Sequence, residues 1–209
     1  MYVATLIANS KNRNLSELIL KQVVNDLGGV KYKVLDDNIA IDINLVSEPS
    51  NFEIVWKQLQ KHQIDIVLQP IKNRRKNILL ADMDSTMIEQ ECIDELADEA
   101  GVGKRVAEIT KRAMNGELDF EDALIERVKL LKGLSSDIIV NVLKGRITLM
   151  PGAESLIKTM KRNGSYCALV SGGFTDFTEA ISKMLGFDEN RANTLLHENE
   201  MLSGKVQLP

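Results

Sequence analysis

The chain has 209 residues, which suits one large domain or one domain with a small companion, and we expect two domains. Hydrophobic residues make up 44% and charged residues 27%, so the disordered, collagen-like and coiled-coil classes are excluded. The 26 basic and 30 acidic residues give a net charge of −4, which argues against a nucleic-acid or membrane-surface partner. Two cysteines and two histidines are too few for a disulfide framework or a zinc cluster, and a cytoplasmic location is expected.

Residues 1–70 are predicted to form a small α+β domain. The pattern predicts strands at 2–8, 32–35, 39–43 and 64–69, with helices at 15–27 and 51–62. This βαββαβ order is the ferredoxin-like arrangement that ACT-type regulatory domains share. The segment 71–76, which follows Pro70, is polar and basic, so a solvated linker is predicted there, with an anion-binding patch as the alternative.

Residues 77–209 are predicted to form an α/β domain. The runs NILLA at 77–81 and YCALV at 166–170 are typical of buried parallel strands. Apolar faces predict helices at 91–100, 104–115, 119–132, 135–144 and 152–163. The segment 101–147 would therefore be a helical insertion after the first strand of a parallel sheet, and 194–198 with 201–206 would be a short terminal hairpin.

Two aspartates, Asp82 and Asp84, directly follow the first apolar strand. Ligands of open α/β sheets bind beyond the carboxyl ends of the strands. One carboxylate can attack a phosphoryl group, while a second can protonate the leaving oxygen and later activate water. A Mg²⁺ ion would neutralise the crowded charge. The alternative is a strand-end turn whose aspartates cap the next helix.

The second apolar strand is followed by Ser171-Gly172-Gly173 at the start of a predicted helix. A hydroxyl and free backbone N–H groups at a helix N-terminus form an anion cradle, and glycines let the backbone approach a phosphate. Such tripeptides also occur in plain turns. Together with Asp82 at a neighbouring strand end, the tripeptide predicts a phosphate site.

Four segments resemble the phosphoserine phosphatases of the haloacid dehalogenase superfamily: LLADMDSTMIEQECIDELADEAG, MNGELDFEDALIERVKLLKGL, ITLMPGAESLI and LVSGGF. The N-terminal segment is similar to the extra domain that bacterial members carry. The resemblance implies a Rossmann-like parallel sheet with a helical cap and Mg²⁺ as cofactor. It also implies hydrolysis of O-phospho-L-serine to L-serine and phosphate through an aspartyl-phosphate, the last step of serine biosynthesis.

The resemblance assigns roles to four charged residues. Asp82 would be the nucleophile and a Mg²⁺ ligand, and Asp84 would be the general acid/base, whose backbone carbonyl also binds Mg²⁺. Glu91, nine residues after Asp82 (91 − 82), would receive the substrate ammonium, although a first-turn glutamate favoured by the helix dipole is the alternative. Arg127 would bind the substrate carboxylate through its planar fork, with a solvent-facing arginine as the alternative.

Four further residues are assigned by the resemblance. Met114 and Phe120 would line the pocket from the cap, although helix-spaced apolar residues are core by default. Ser171 and Gly172 would bind the phosphate. No catalytic role is expected for His62, His197, Cys92 and Cys167.

The family has two later motifs, a lysine that pairs with the phosphoryl group and a Gly-Asp-Gly-x-Asn-Asp loop. The sequence stops at Pro209, before either could occur, and Lys183 and Lys205 come too early to replace the lysine. We therefore expect a catalytic domain that is incomplete at its C-terminus, with a two-strand parallel remnant, NILLA as an unpaired apolar edge and little turnover.

Two hypotheses follow. In the first, the chain is the larger part of a Mg²⁺-dependent phosphatase with a small-molecule partner, phosphoserine, and with no nucleic-acid or membrane partner. In the second, the chain is an amino-acid-binding or interaction module without catalysis. A homodimer and the preference between phosphoserine and phosphothreonine stay open.

Overall fold

The computed structural model describes all 209 residues, which divide into two compact units, residues 1–76 and 77–209. The first unit contains β1 (Tyr2–Ala8), α1 (Glu17–Leu27), β2 (Lys31–Asp36), β3 (Ala40–Leu45), α2 (Phe52–Gln60) and β4 (Ile64–Pro70). The second contains β5 (Ile78–Ala81), α3 (Cys92–Glu99), α4 (Gly103–Met114), α5 (Phe120–Lys129), α6 (Asp137–Gly145), α7 (Ala153–Arg162), β6 (Tyr166–Phe174), α8 (Thr175–Leu185), β7 (Glu189–Glu198) and β8 (Met201–Gln207). No helix combines the length and apolar character that a membrane span requires.

The first unit is an antiparallel sheet in the order β2-β3-β1-β4 with two helices. Ala4 of β1 lies opposite Ile43 of β3 and Leu68 of β4, and alternate residues of these strands point into one apolar core with the helices. Helix α1 begins because the Ser16 hydroxyl accepts the Ile19 N–H, and it ends at Gly28, whose φ is 67°. The six elements occur in the predicted order.

The segment after β4, residues 71–76, is exposed except at Arg74, which is half-buried against the first unit. Arg74 donates from Nη1 to Asp42 Oδ2 at 2.6 Å and from Nη2 to Asp42 Oδ1 at 2.8 Å, and also to Thr5 Oγ1 at 3.0 Å. Asp42, which lies opposite Thr5 in the β1–β3 pair, is only 8% exposed. The sequence alone does not indicate that Arg74 contacts Asp42, because the two residues are far apart in the chain.

The electrostatics of Asp42 follow from this contact. Burial acts to raise the pKa of Asp42, but the hydrogen bonds from Arg74 and Thr5 outweigh it and hold the pKa below its usual value. The contact therefore stabilises the ionised carboxylate, and with it the folded first unit.

The second unit has a four-stranded sheet in the order β5-β6-β7-β8, in which β5, β6 and β7 are parallel and β8 is antiparallel to β7. The predicted two-strand remnant is wrong, because β7 begins at Glu189 and its first residues pair with β6 before the strand enters the hairpin with β8. The start of β7 is not predicted from the sequence because Glu189, Asn190 and Arg191 are polar, whereas buried parallel strands are identified by apolar runs.

Strand β5 lies at the edge of this sheet and pairs only with β6, as predicted. It is not buried on both faces, because Ile78 and Leu80 are each 68% exposed. Ala81 points to the other face, where it shares an apolar core with α7 and α8. The prediction of a fully buried strand is therefore wrong for one face.

The helices α3–α6 follow β5, and the two chain segments that flank them lie side by side. Ile88 and Leu149 form an antiparallel bridge, and the Glu89 N–H donates to the Thr148 carbonyl at 3.0 Å. The side chains of Gln90 and Thr148 add a hydrogen bond of 2.8 Å. These contacts fix the base of the helical insertion beside the carboxyl end of β5.

We predict that Asp42→Asn lowers the free energy of unfolding of the first unit by about 2 kcal/mol at pH 7, the usual worth of hydrogen bonds to a charged group. The measurement is urea unfolding followed by the fluorescence of Trp56, the single tryptophan, which lies on α2. The matched control is Glu53→Gln, which breaks an exposed Lys57–Glu53 pair and should cost about 0.5 kcal/mol or less.

The stabilisation by Asp42 should decrease as the pH falls. Because the folded pKa of Asp42 is lowered, its stabilisation is fully present above the unfolded value of ~3.9 and is lost as the pH falls through the folded value. The difference between wild type and Asp42→Asn should shrink at low pH. Equal losses in the two variants at pH 7 would contradict the contact.

Candidate functional site

The site forms where the carboxyl ends of β5 and β6 meet. Ala81 and Leu169 are partners in the parallel pair, so the residues that follow them, Asp82 and Ser171, emerge at the same edge. A tight turn follows β5, in which the carbonyl of the fully buried Met83 accepts N–H groups from Thr86, Met87 and Ile88. This turn brings Asp84 back towards β6.

A cavity of about 210 Å³ opens at this edge. It is lined by Asp82, Asp84, Glu91, Ile93, Phe120, Leu124, Arg127, Ser171, Gly172, Gly173 and Phe174. Every predicted site residue except Met114 lines it. The lining residues 82–91 lie between β5 and α3, Ile93 lies on α3, residues 120–127 lie on α5, and residues 171–174 lie at the end of β6.

Met114 lies outside the cavity lining. It is the last residue of α4 and is 85% exposed, while the buried face of that helix carries Val106 and Ile109. The apolar wall is formed instead by Ile93 and Leu124, together with Phe120 and Phe174. Ile93 and Leu124 belong to the apolar faces that predict helices at 91–100 and 119–132, and helical spacing alone does not distinguish a residue that lines a cavity from one in the core.

The two aspartates differ in their surroundings. Asp84 accepts the Cys92 N–H at Oδ1 at 2.7 Å and the Ser171 hydroxyl at Oδ2 at 3.0 Å. Asp82 is exposed, and the Thr86 hydroxyl donates to its Oδ2 at 3.2 Å. One carboxylate is therefore oriented by two donors, while the other is open to the cavity, which suits an acid/base and a nucleophile respectively.

Glu91 and Arg127 give the cavity a charged pair of opposite sign. Ser85, with φ at 51°, donates from its hydroxyl to Glu91 Oε1 at 2.7 Å, and Arg127 donates from Nε to the Ala123 carbonyl at 3.1 Å. Burial lowers the pKa of Arg127, whereas Asp94 and Glu91 act to raise it. A guanidinium stays charged at neutral pH, so the pair can bind a zwitterion.

A side chain on either glycine at the end of β6 would be crowded. A Cβ on Gly172 would lie 2.8 Å from Phe120 Cζ, and one on Gly173 would lie 3.0 Å from Asp84 Oδ2. Sequence reasoning missed Asn193, which is 4% exposed on β7 and donates from Nδ2 to the carbonyls of Gly172 at 2.7 Å and Gly173 at 3.2 Å. No local signal in the sequence connects Asn193 with this turn.

The donor set fits a hard divalent cation in part. No group of three or more His, Cys, Asp and Glu side chains with metal-binding geometry occurs in the chain. Asp82 supplies an exposed carboxylate and Asp84 a backbone carbonyl, and Mg²⁺ is commonly bound through one or two carboxylates, with waters and substrate oxygens completing the shell. These two residues could therefore hold a cation together with a bound phosphate.

Comparison with known proteins agrees with this geometry. The family model of haloacid dehalogenase-like hydrolases matches residues 79–209. A phosphoserine phosphatase of Archaeoglobus fulgidus is 44% identical over 153 residues, which cover 72% of this chain and 44% of that protein. The chain spans about half the length of the curated relatives it matches.

Two solved structures are also similar. A phospho-aspartyl intermediate analogue of phosphoserine phosphatase is 44% identical with a TM-score of 0.59, and the match covers 65% of this chain and 64% of that one. A hydrolase of the same family from Salmonella enterica subsp. enterica serovar Typhi is 25% identical with a TM-score of 0.81. That match covers 100% of this chain and 72% of the other.

We predict that neither thiol of the native protein reacts readily with a disulfide reagent such as DTNB. Cys92 is 1% and Cys167 0% exposed, and burial raises the pKa of both thiols, with Asp84 raising that of Cys92 further. Both should react at once in denaturant, which serves as the control. Rapid labelling of Cys92 in the folded protein would contradict the packing at the start of α3.

Proposed function

Because the chain belongs to the haloacid dehalogenase-like hydrolase family, we propose that its cavity hydrolyses O-phospho-L-serine to L-serine and phosphate. One observation carries the proposal: a single small cavity is lined by two aspartates and Ser171 and also by the pair Glu91 and Arg127. Phosphoserine has a phosphate, an ammonium and a carboxylate, and each finds a complementary group there. The similarity to phosphoserine phosphatases supports the choice of substrate.

The first chemical step belongs to Asp82. Its carboxylate oxygen attacks phosphorus and forms an aspartyl-phosphate, while the bond between phosphorus and the serine oxygen breaks. Asp84, in its protonated form, gives its proton to the departing serine oxygen. Exposure of Asp82 to the cavity and the orientation of Asp84 by two donors support this division of roles.

The second step returns the enzyme to its starting state. Asp84, now a carboxylate, takes a proton from water, whose oxygen attacks phosphorus and releases phosphate from Asp82. Ser171 and the backbone N–H of Gly172 would bind the phosphate oxygens. Asn193 donates to the carbonyls of Gly172 and Gly173, which supports the turn that follows Ser171.

Asp82 and Asp84 would hold Mg²⁺, and the bound cation would supply the positive charge that offsets two carboxylates and a phosphate in one cavity. Glu91 would receive the substrate ammonium and Arg127 its carboxylate. The cap helices α4–α6 would limit the access of water to the aspartyl-phosphate.

For the first unit we propose an ACT-like regulatory domain of the ferredoxin-like class. Its βαββαβ order and its antiparallel sheet with β1 and β3 at the centre support this assignment. A small molecule is the partner proposed for the chain as a whole.

We predict that Arg127→Ala, in the full gene product, lowers kcat/KM for phosphoserine about 100-fold, because a hydrogen-bonded charge pair with the substrate carboxylate is lost. Hydrolysis of an aryl phosphate, which has no carboxylate, should change by less than about threefold. The assay is phosphate release with Mg²⁺. Arg105→Ala, an exposed arginine on α4, is the matched control and should affect neither substrate. Equal losses on both substrates in Arg127→Ala would refute the carboxylate role.

A further inference from the structure

We propose that the start of α3, through the backbone N–H of Cys92, orients Asp84 for proton transfer, which makes Cys92 a positioning residue. The inference rests on the proposed function, in which Asp84 is the acid/base. It concerns a residue to which that function assigns no role. Three features of the site support this role: the Cys92 N–H lies at the start of a helix, a second donor holds the other oxygen of Asp84, and Cys92 is buried.

Helix α3 does not cap itself. Glu91 occupies the position before the first helical residue, and its side chain makes no capping hydrogen bond. Its Oε1 accepts the Ser85 hydroxyl instead. The Cys92 N–H, which belongs to the first turn and has no partner within the helix, donates to Asp84 Oδ1 at 2.7 Å. Asp84 therefore caps α3 from outside the helix.

A second donor holds the other oxygen of Asp84. The Ser171 hydroxyl donates to Oδ2 at 3.0 Å and itself accepts the Gly173 N–H at 2.9 Å. In the proposed function this hydroxyl also serves the substrate phosphate, so its bond to Asp84 is exchangeable. The bond from the backbone of Cys92 is not, because the N–H cannot rotate away from the helix start.

Burial keeps the donor in place. Cys92 is 1% exposed and belongs to the same apolar core as Met87 and Leu96. A shift of its backbone would have to move the first turn of α3 against that core, in which packing is dense. The Cys92 N–H is therefore a fixed donor, and it holds the Asp84 carboxyl group in one orientation.

Proline at position 92 tests this contact directly. Proline is favoured at the first helical position, and Glu91 has φ −99° and ψ 111°, an extended conformation that a residue before proline adopts readily. Cys92→Pro therefore preserves the helix start, removes the N–H and places a ring carbon where its hydrogen was. Cys92→Ala keeps the N–H and removes only the thiol.

We expect Cys92→Pro, in the full gene product, to lower kcat for phosphoserine about tenfold or more, while KM and the calorimetric affinity for phosphoserine change by less than about threefold. Cys92→Ala should lose clearly less than Cys92→Pro. The matched control is Glu17→Pro, which places proline at the first position of α1 after the extended Ser16 and should leave turnover unchanged. Equal kcat values for Cys92→Pro and Cys92→Ala would overturn the proposal.

Two further measurements test the proposal if Cys92→Pro does not fold or if the proposed function fails. If Cys92→Pro does not fold, Gly173→Ala, whose Cβ would lie 3.0 Å from Asp84 Oδ2, should also lower kcat more than KM, and a loss in KM alone would overturn the proposal. If the unmodified protein neither binds nor hydrolyses phosphoserine, the proposed function fails. The contact between Cys92 and Asp84 is then tested by the chemical shift of the Cys92 amide proton, which should change in Asp84→Asn. An unchanged chemical shift would contradict the contact.

Discussion

The parallel pairing of β5 with β6 is the constraint on which the site depends. Because Ala81 and Leu169 are partners, the turn that carries Asp82 and Asp84 and the turn that carries Ser171 emerge at one edge. A shift of one residue in this register would turn the side chains of β5 to the opposite face. The hydrogen bond from Ser171 to Asp84 joins the two turns and would then be lost.

The helical insertion completes the cavity with groups that the sheet cannot supply. Helix α5 brings Phe120, Leu124 and Arg127 over the strand ends, and the start of α3 brings Glu91. In the proposed function, the sheet edge would supply the groups for the reacting phosphate, and the helices would supply the groups that distinguish one phosphate ester from another. A substitution at the sheet edge should then affect kcat, and one on the helices should affect the choice of substrate.

The features of the site that the sequence predicts depend on residues close together in the chain, whereas the features it does not predict join residues far apart. The Asp-x-Asp pair after an apolar strand and the Ser-Gly-Gly turn after another could be placed at one sheet edge, because that edge follows from parallel topology. The contact of Arg74 with Asp42 and the support of Gly172 by Asn193 join residues far apart in the chain, so no spacing indicates them. Strand β7 was recognised only in part because its start is polar, and Met114 points outward because α4 buries its other face.

The most direct test of the account identifies the residue that carries the phosphoryl group during turnover. The full gene product is mixed with ³²P-labelled phosphoserine and Mg²⁺, quenched in acid and digested, and the labelled peptide is sequenced. The account predicts a hydroxylamine-sensitive label on Asp82, which is absent in Asp82→Asn and when the cation is chelated. A label on any other residue, or normal turnover by Asp82→Asn, would contradict it.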